Sequence, residues 1–146
     1  MLGPLAVCQP EERETILRLL QQALSNRPGI LFAYVHGSFL ADRPFHDIDL
    51  ALYLDQVGES SPHSVTELAS LLEKLLLEQM GLHISIDVRV INRAPLGFCY
   101  RVFQGRLLFS RDEALRTSWV ERVASRYLDL LPMRRQALKE AMTTWT

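Results

Sequence analysis

Two short apolar runs joined through Gly37-Ser38 and Asp47-Ile48-Asp49 constrain this chain more than any other feature. Ile30–Val35 enters the motif and Leu50–Leu54 leaves it. Both runs have strand length and are bounded by turn residues. Side chains alternate along a strand, so Asp47 and Asp49 share one face while Ile48 and Leu50 share the other. The polar segment Ala41–His46 links Gly-Ser to the second run, and Phe39–Ala41 fits a helical turn. Two carboxylates on one face, beside backbone N–H groups at Gly37 and Ser38, suit Mg²⁺ and a polyphosphate.

A third strand supplies the next acid. In Leu82–Ile91, Ile84, Ile86, Val88 and Val90 fall on one face, and His83, Ser85, Asp87 and Arg89 on the other. An acid on a half-buried face needs a cation or a metal. Arg89 follows Asp87 on that face, so it either pairs with the acid or steadies a phosphate. Asp-x-Asp alone and Gly-Ser alone are common at strand ends and turns. The ordered combination of all three elements is what points to a site.

Helices surround these strands. Pro10-Glu11-Glu12 starts one, with Ile16, Leu19, Leu20, Ala23 and Leu24 on a single stripe and Asn26–Gly29 as its stop. A one-sided stripe predicts a helix lying on a sheet. After a loop at 56–62, Ser64 and Glu67 fit a capping box for a helix that runs to Met80, with Gly81 as its stop. Its stripe is Val65, Leu68, Leu72, Leu75 and Leu76. Asn92–Pro95 reads as a turn, 96–104 as a short helix and Arg106–Phe109 as a strand. Ser110 and Glu113 fit a second capping box, opening a helix through Trp119, Val123, Tyr127 and Leu130 that Pro132 should kink or end. Met133, Ala137, Ala141 and Trp145 continue an apolar stripe that serves either as core or as a docking face for a partner. The whole pattern is α+β, a mixed sheet covered by helices.

Length and composition narrow the function classes. The 146 residues suit one domain, 1–146, with the helices from about 111 as the candidate docking face. A net charge of −1 gives no overall basic footprint, so direct nucleic-acid binding is not expected. Cys8 and Cys99 lie far apart and accompany no His cluster, which argues for free thiols in a reducing cytoplasm and against zinc. His36 and His46 flank the acids, and His36 reads as structural rather than as a ligand. The N-terminal apolar stretch lacks a basic flank and is broken by Gly3 and Pro4, so it does not read as a signal peptide. No run reaches transmembrane length.

Gly37-Ser38, Asp47-Ile48-Asp49 and Asp87, in that order, resemble the nucleotidyltransferase fold of the DNA polymerase β superfamily. The chain's small size and order of elements are similar to the minimal nucleotidyltransferase (MNT) branch, whose members include antitoxins paired with HEPN toxins. The resemblance covers roughly residues 30 to 92 by motif. It implies that Gly37 and Ser38 hold nucleotide phosphates and that Asp47, Asp49 and Asp87 bind two Mg²⁺ ions, with Asp87 as base; Arg89, from its place on the same face, joins the candidate nucleotide-binding residues. It further implies transfer of AMP from ATP to a tyrosine of a HEPN ribonuclease toxin, neutralising it, in a homo- or hetero-oligomer. Eight residues separate Ser38 from Asp47, against about ten in the family. A non-catalytic binding antitoxin and a small-molecule, aminoglycoside-type nucleotidyltransferase are the alternatives.

Overall fold

The structure is a computed structural model that describes residues 5–55 and 62–144. Its elements run α1 (Pro10–Ser25), β1 (Ile30–His36), a 3₁₀ turn (Ser38–Leu40), β2 (Asp47–Leu54), α2 (Pro62–Met80), β3 (Ser85–Val90), α3 (Leu96–Phe103), β4 (Arg106–Ser110) and α4 (Glu113–Thr144). The four strands form one sheet in the order β3-β2-β1-β4. β1 pairs antiparallel with β2 and β4, while β2 and β3 are parallel. A parallel pair needs a long crossover, and α2 supplies it. The expected α+β architecture with a mixed sheet is therefore what the chain adopts.

Alternation along the strands divides the core in two. Ala33, Val35, Ile48, Leu50, Leu52, Ile86 and Val88 face α1 and α2, where they meet Ile16, Leu20, Leu24, Leu68, Leu72 and Leu76. Phe32, Tyr34 and Ala51 face the other way, onto Cys99 and Val102 of α3 and Trp119 and Val123 of α4. Phe32 stacks on Tyr53 with ring centroids 4.8 Å apart and lies 5.3 Å from Trp119. Such aromatic contacts add to the burial that holds the second layer in place.

Side chains finish what the strands leave open. The Asn92 amide donates to Leu54 O at 2.8 Å and accepts from Leu54 N–H at 2.9 Å. It thus imitates one more residue of the β3–β2 ladder beyond Val90. Arg111 donates to the carbonyls of Ser25 (2.7 Å), Arg27 (3.1 Å) and Ile30 (3.0 Å), tying the end of α1 and the start of β1 to β4. Glu12 accepts the Gln9 N–H at 3.0 Å across the first turn of α1.

Several sequence expectations are corrected. α4 does not end at Pro132; the proline lies inside a helix of 32 residues, about 48 Å long at 1.5 Å per residue. Losing one N–H is tolerated there because the helix is exposed and water can satisfy the freed carbonyl. Of the two uses left open for the stripe beyond it, core is excluded for Met133, Ala137 and Ala141, which are exposed, as are Leu138 and Met142. Trp145 lies outside the described residues, as do residues 56–61 of the loop expected at 56–62; its last residue, Pro62, opens α2 instead. Ser110 is not the cap of α4. It closes β4, and Asp112 caps instead, accepting the Leu115 N–H at 3.1 Å. Ser64 sits inside the first turn of α2, because that helix begins at Pro62. The third strand spans Ser85–Val90 rather than 82–91.

The Asp112 cap gives a local test. Asp112→Ala should cost about 1 kcal/mol, read as a lower urea midpoint at unchanged m-value. Ser110→Ala should not reproduce that loss if Asp112 alone fills the capping role.

Candidate functional site

The register of the strands gathers the acids. Asp49 lies opposite Asp87 across the parallel β2–β3 pair, and opposite His36 across the antiparallel β1–β2 pair. Asp47, two residues before Asp49, shares its face and lies opposite Ser85. The neighbours Ile48 and Leu50 pair with Ile86 and Val88 and are buried on the far side. The hydrophobic core thus locks the register. A slip by one residue would send the acids into it.

Gly37 has φ 85°, a conformation that costs glycine little and other residues much. Space adds a second reason. A Cβ at Gly37 would collide with the Asp49 carboxylate. The backbone after β1 therefore passes directly against the acid of β2. The 3₁₀ turn that follows is closed by Leu40 N–H to Gly37 O (3.2 Å) and Ala41 N–H to Ser38 O (3.0 Å). The first N–H groups of such a turn have no partner inside it and face outward.

The eight-residue segment between Ser38 and Asp47 is anchored at both flanks. Phe39 and Phe45 are buried and meet edge to face at 5.0 Å. Phe45 exchanges two backbone hydrogen bonds with Ala6, at 2.7 and 2.9 Å. Arg13 of α1 donates to Ala41 O at 3.2 Å.

Electrostatics agree with the register. Burial pushes the Asp49 carboxyl above its usual value, and the charges of Asp87 and Asp47 push it further, against a lowering by Arg89. Three acids on one face of adjoining strands are the hard-oxygen donor type that Mg²⁺ takes. Among the described residues no three His, Cys, Asp or Glu side chains are drawn tightly enough together to enclose an ion. Asp87 instead turns to Arg89, whose Nε donates to it at 3.2 Å. His36 packs edge-on against Phe98 at 5.4 Å. Burial lowers its pKa, and Arg89 lowers it further, against a raising by Asp87.

The candidate residues Gly37, Asp47, Asp49, Asp87 and Arg89 thus converge, with Ser38 opening the adjoining turn. Sequence reading missed Phe98, which joins His36 to Arg89 and Arg101, the two guanidinium groups lying 5.5 and 6.0 Å from its ring centre. Phe98 and Arg101 stand one helical turn apart in α3, a spacing too ordinary to stand out.

A mixed sheet carrying Gly-Ser after one strand and Asp-x-Asp at the head of the next defines a nucleotidyltransferase domain. The chain belongs to the polymerase β nucleotidyltransferase family, whose model, "Polymerase beta, Nucleotidyltransferase", matches residues 19–114. Solved structures agree on the fold. A chain in the complex of tri-AMPylated Shewanella oneidensis HEPN toxin with MNT antitoxin superposes with TM-score 0.62 at 21% identity, over 89% of this chain and 95% of that one. A chain of a mutant MntA toxin–antitoxin complex gives TM-score 0.66 at 21% identity, over 89% and 98%. A chain of a toxin–antitoxin complex with AMP-PNP gives 0.65 at 20% identity, over 89% and 98%. Among the described residues no helix is long and apolar enough to cross a membrane.

Proposed function

We propose that this chain is a Mg²⁺-dependent nucleotidyltransferase antitoxin that moves AMP from ATP to a tyrosine hydroxyl of a HEPN ribonuclease toxin. The observation that carries the reading is the register: Asp49 stands opposite Asp87, with Asp47 on the same face and Gly37 against Asp49. Support comes also from structural neighbours that include a tri-AMPylated HEPN toxin with its MNT antitoxin and a complex with AMP-PNP.

Each residue has a role in this reading. Ser38 and the N–H groups of its turn bind the polyphosphate, and Gly37 lets that backbone approach the acids. Asp47, Asp49 and Asp87 hold Mg²⁺, which when bound neutralises the carboxylates and stabilises charge on the reacting phosphate. Asp87 takes the proton from the acceptor hydroxyl. The hydroxyl oxygen bonds to the α-phosphorus, the bond from that phosphorus to the bridging oxygen breaks, and pyrophosphate leaves with the electron pair. Arg89 is placed to steady a phosphate beside Asp87. Residues 1–146 act as one domain, and the bare stretch of α4 with Met133, Leu138 and Met142 serves as the docking face for the toxin.

Intact-mass measurement of the cognate toxin after incubation with ATP, Mg²⁺ and this protein tests the reading. One or more added AMP units are expected. An unmodified toxin, with AMP appearing on a hydroxylated antibiotic instead, would overturn it in favour of a small-molecule enzyme. The abbreviated Ser38–Asp47 segment favours a second reading, a binding antitoxin without turnover. The double variant Asp47→Ala, Asp49→Ala separates the two, because neutralisation at equal dose survives only if binding suffices.

A further inference from the structure

Next to Arg89, the partner of Asp87, lies a groove of about 780 Å³ lined by Arg89, Pro95, Gly97, Phe98, Arg101 and Arg134 among others. It brings together β3, α3 and the far half of α4. Arg101 and Arg134 converge there: a Cβ on Gly97 would lie 4.0 and 3.8 Å from their Nη1 atoms. Among the described residues no carboxylate forms an ion pair with either one. Arg134 lies over Tyr127 at 4.9 Å from the ring centre, and Tyr127 stacks on Tyr100 at 4.0 Å. Two like charges held together by aromatic packing, with no acid between them, await an anion.

Sheet order fixes which side of the chemistry this groove serves. Gly37 and Ser38 follow β1, on one flank of Asp49, while Asp87 and Arg89 belong to β3, on the opposite flank. In-line displacement brings the nucleophile in opposite the leaving group. With the polyphosphate at Gly37-Ser38, the acceptor arrives on the side of Asp87 and Arg89, and Arg89 lines the groove.

We propose that the groove seats the acceptor protein, and that the acceptor segment carries acidic residues next to its hydroxyl, gripped by Arg101 and Arg134. This rests on the nucleotidyltransferase reading above and adds the chemistry of its acceptor. The groove suits a peptide better than a single-stranded RNA. Its one aromatic ring, Phe98, is already engaged by Arg89, Arg101 and His36, whereas single-strand readers offer open aromatic faces to bases. Small side chains and backbone at Ala94, Pro95 and Gly97 leave room for an extended segment.

Charge reversal tests it. Arg101→Glu and Arg134→Glu should each raise the KM for the acceptor protein by roughly tenfold, with a weaker salt dependence, and leave affinity for a non-hydrolysable ATP analogue unchanged. Arg101→Lys should recover much of the loss. Binding of the toxin without ATP, by titration calorimetry, reads the same groove if transfer itself is absent, so failure of the groove and failure of the enzyme reading are told apart. Unchanged acceptor KM and toxin affinity in both variants would overturn the proposal. So would a loss confined to the ATP analogue, or tight binding of a single-stranded RNA oligonucleotide that both reversals abolish.

Discussion

Asp49→Asn is expected to reduce nucleotidyl transfer by about three orders of magnitude or more while stabilising the metal-free protein. The two effects have one cause. Asp49 is half-buried between Asp87 and Asp47, and burial first, then those two charges, raise its pKa above 3.8. The folded chain therefore keeps a proton on Asp49 at a pH where the unfolded chain has lost it. Folding stability falls as pH rises from 3.8 through the raised value, and the penalty persists at neutral pH. Asparagine removes the charge and with it that part of the pH dependence. Added Mg²⁺ should raise the melting temperature of the wild-type protein, and by much less in the variant. Calorimetric melts between pH 4 and 8, with and without Mg²⁺, read all of this. A variant that melts lower than wild type without metal at pH 7 would show that the carboxylate is not under strain in the folded state.

Gly37→Ala is the second large effect. Its φ of 85° alone costs a non-glycine residue about 1–3 kcal/mol. The added methyl also meets the Asp49 carboxylate, so either the turn or the acid must move. A displacement of about 1 Å at a reacting centre lowers rate by roughly a hundredfold. We expect a lower melting temperature together with at least that loss of transfer. Gly29→Ala is the control, because nothing lies within 4 Å of a Cβ there. Equal losses from both substitutions, measured as kcat/KM, would remove the special standing of Gly37.

The acids were legible in the sequence because strand alternation is a strong rule. Asp47 and Asp49 had to share a face, and the alternation of Ile84, Ile86 and Val88 put Asp87 on a polar one. That Asp49 and Asp87 stand opposite each other was not legible, since register depends on how buried side chains of two distant strands fit. Gly37 could be read as a turn residue, but its contact with Asp49 belongs to tertiary structure. Sequence alone left Pro132 as either a kink or an end of α4, because a proline's local cost does not say whether the helix on both sides outweighs it. Ser110 and Asp112 each fit a capping rule, and only the length of β4 decides between them. The Arg101–Arg134 pair was invisible. It joins α3 to a helical turn 33 residues later, and a net charge of −1 averages such a cluster away.

Among the described residues β3 ends the sheet, with β2 on one side and no strand on the other. It carries Asp87, which the sequence separates from Asp49 by the whole α2 crossover. Edge strands are where sheets fray, and long-range parallel pairs are the slow ones to form. The third acid thus joins the other two only once the α2 crossover has closed and the edge strand has paired. In the proposed reading, chemical competence becomes a property of the completed fold: a copy with only the β1–β2 hairpin formed holds Gly37 against Asp49 yet lacks the proposed base.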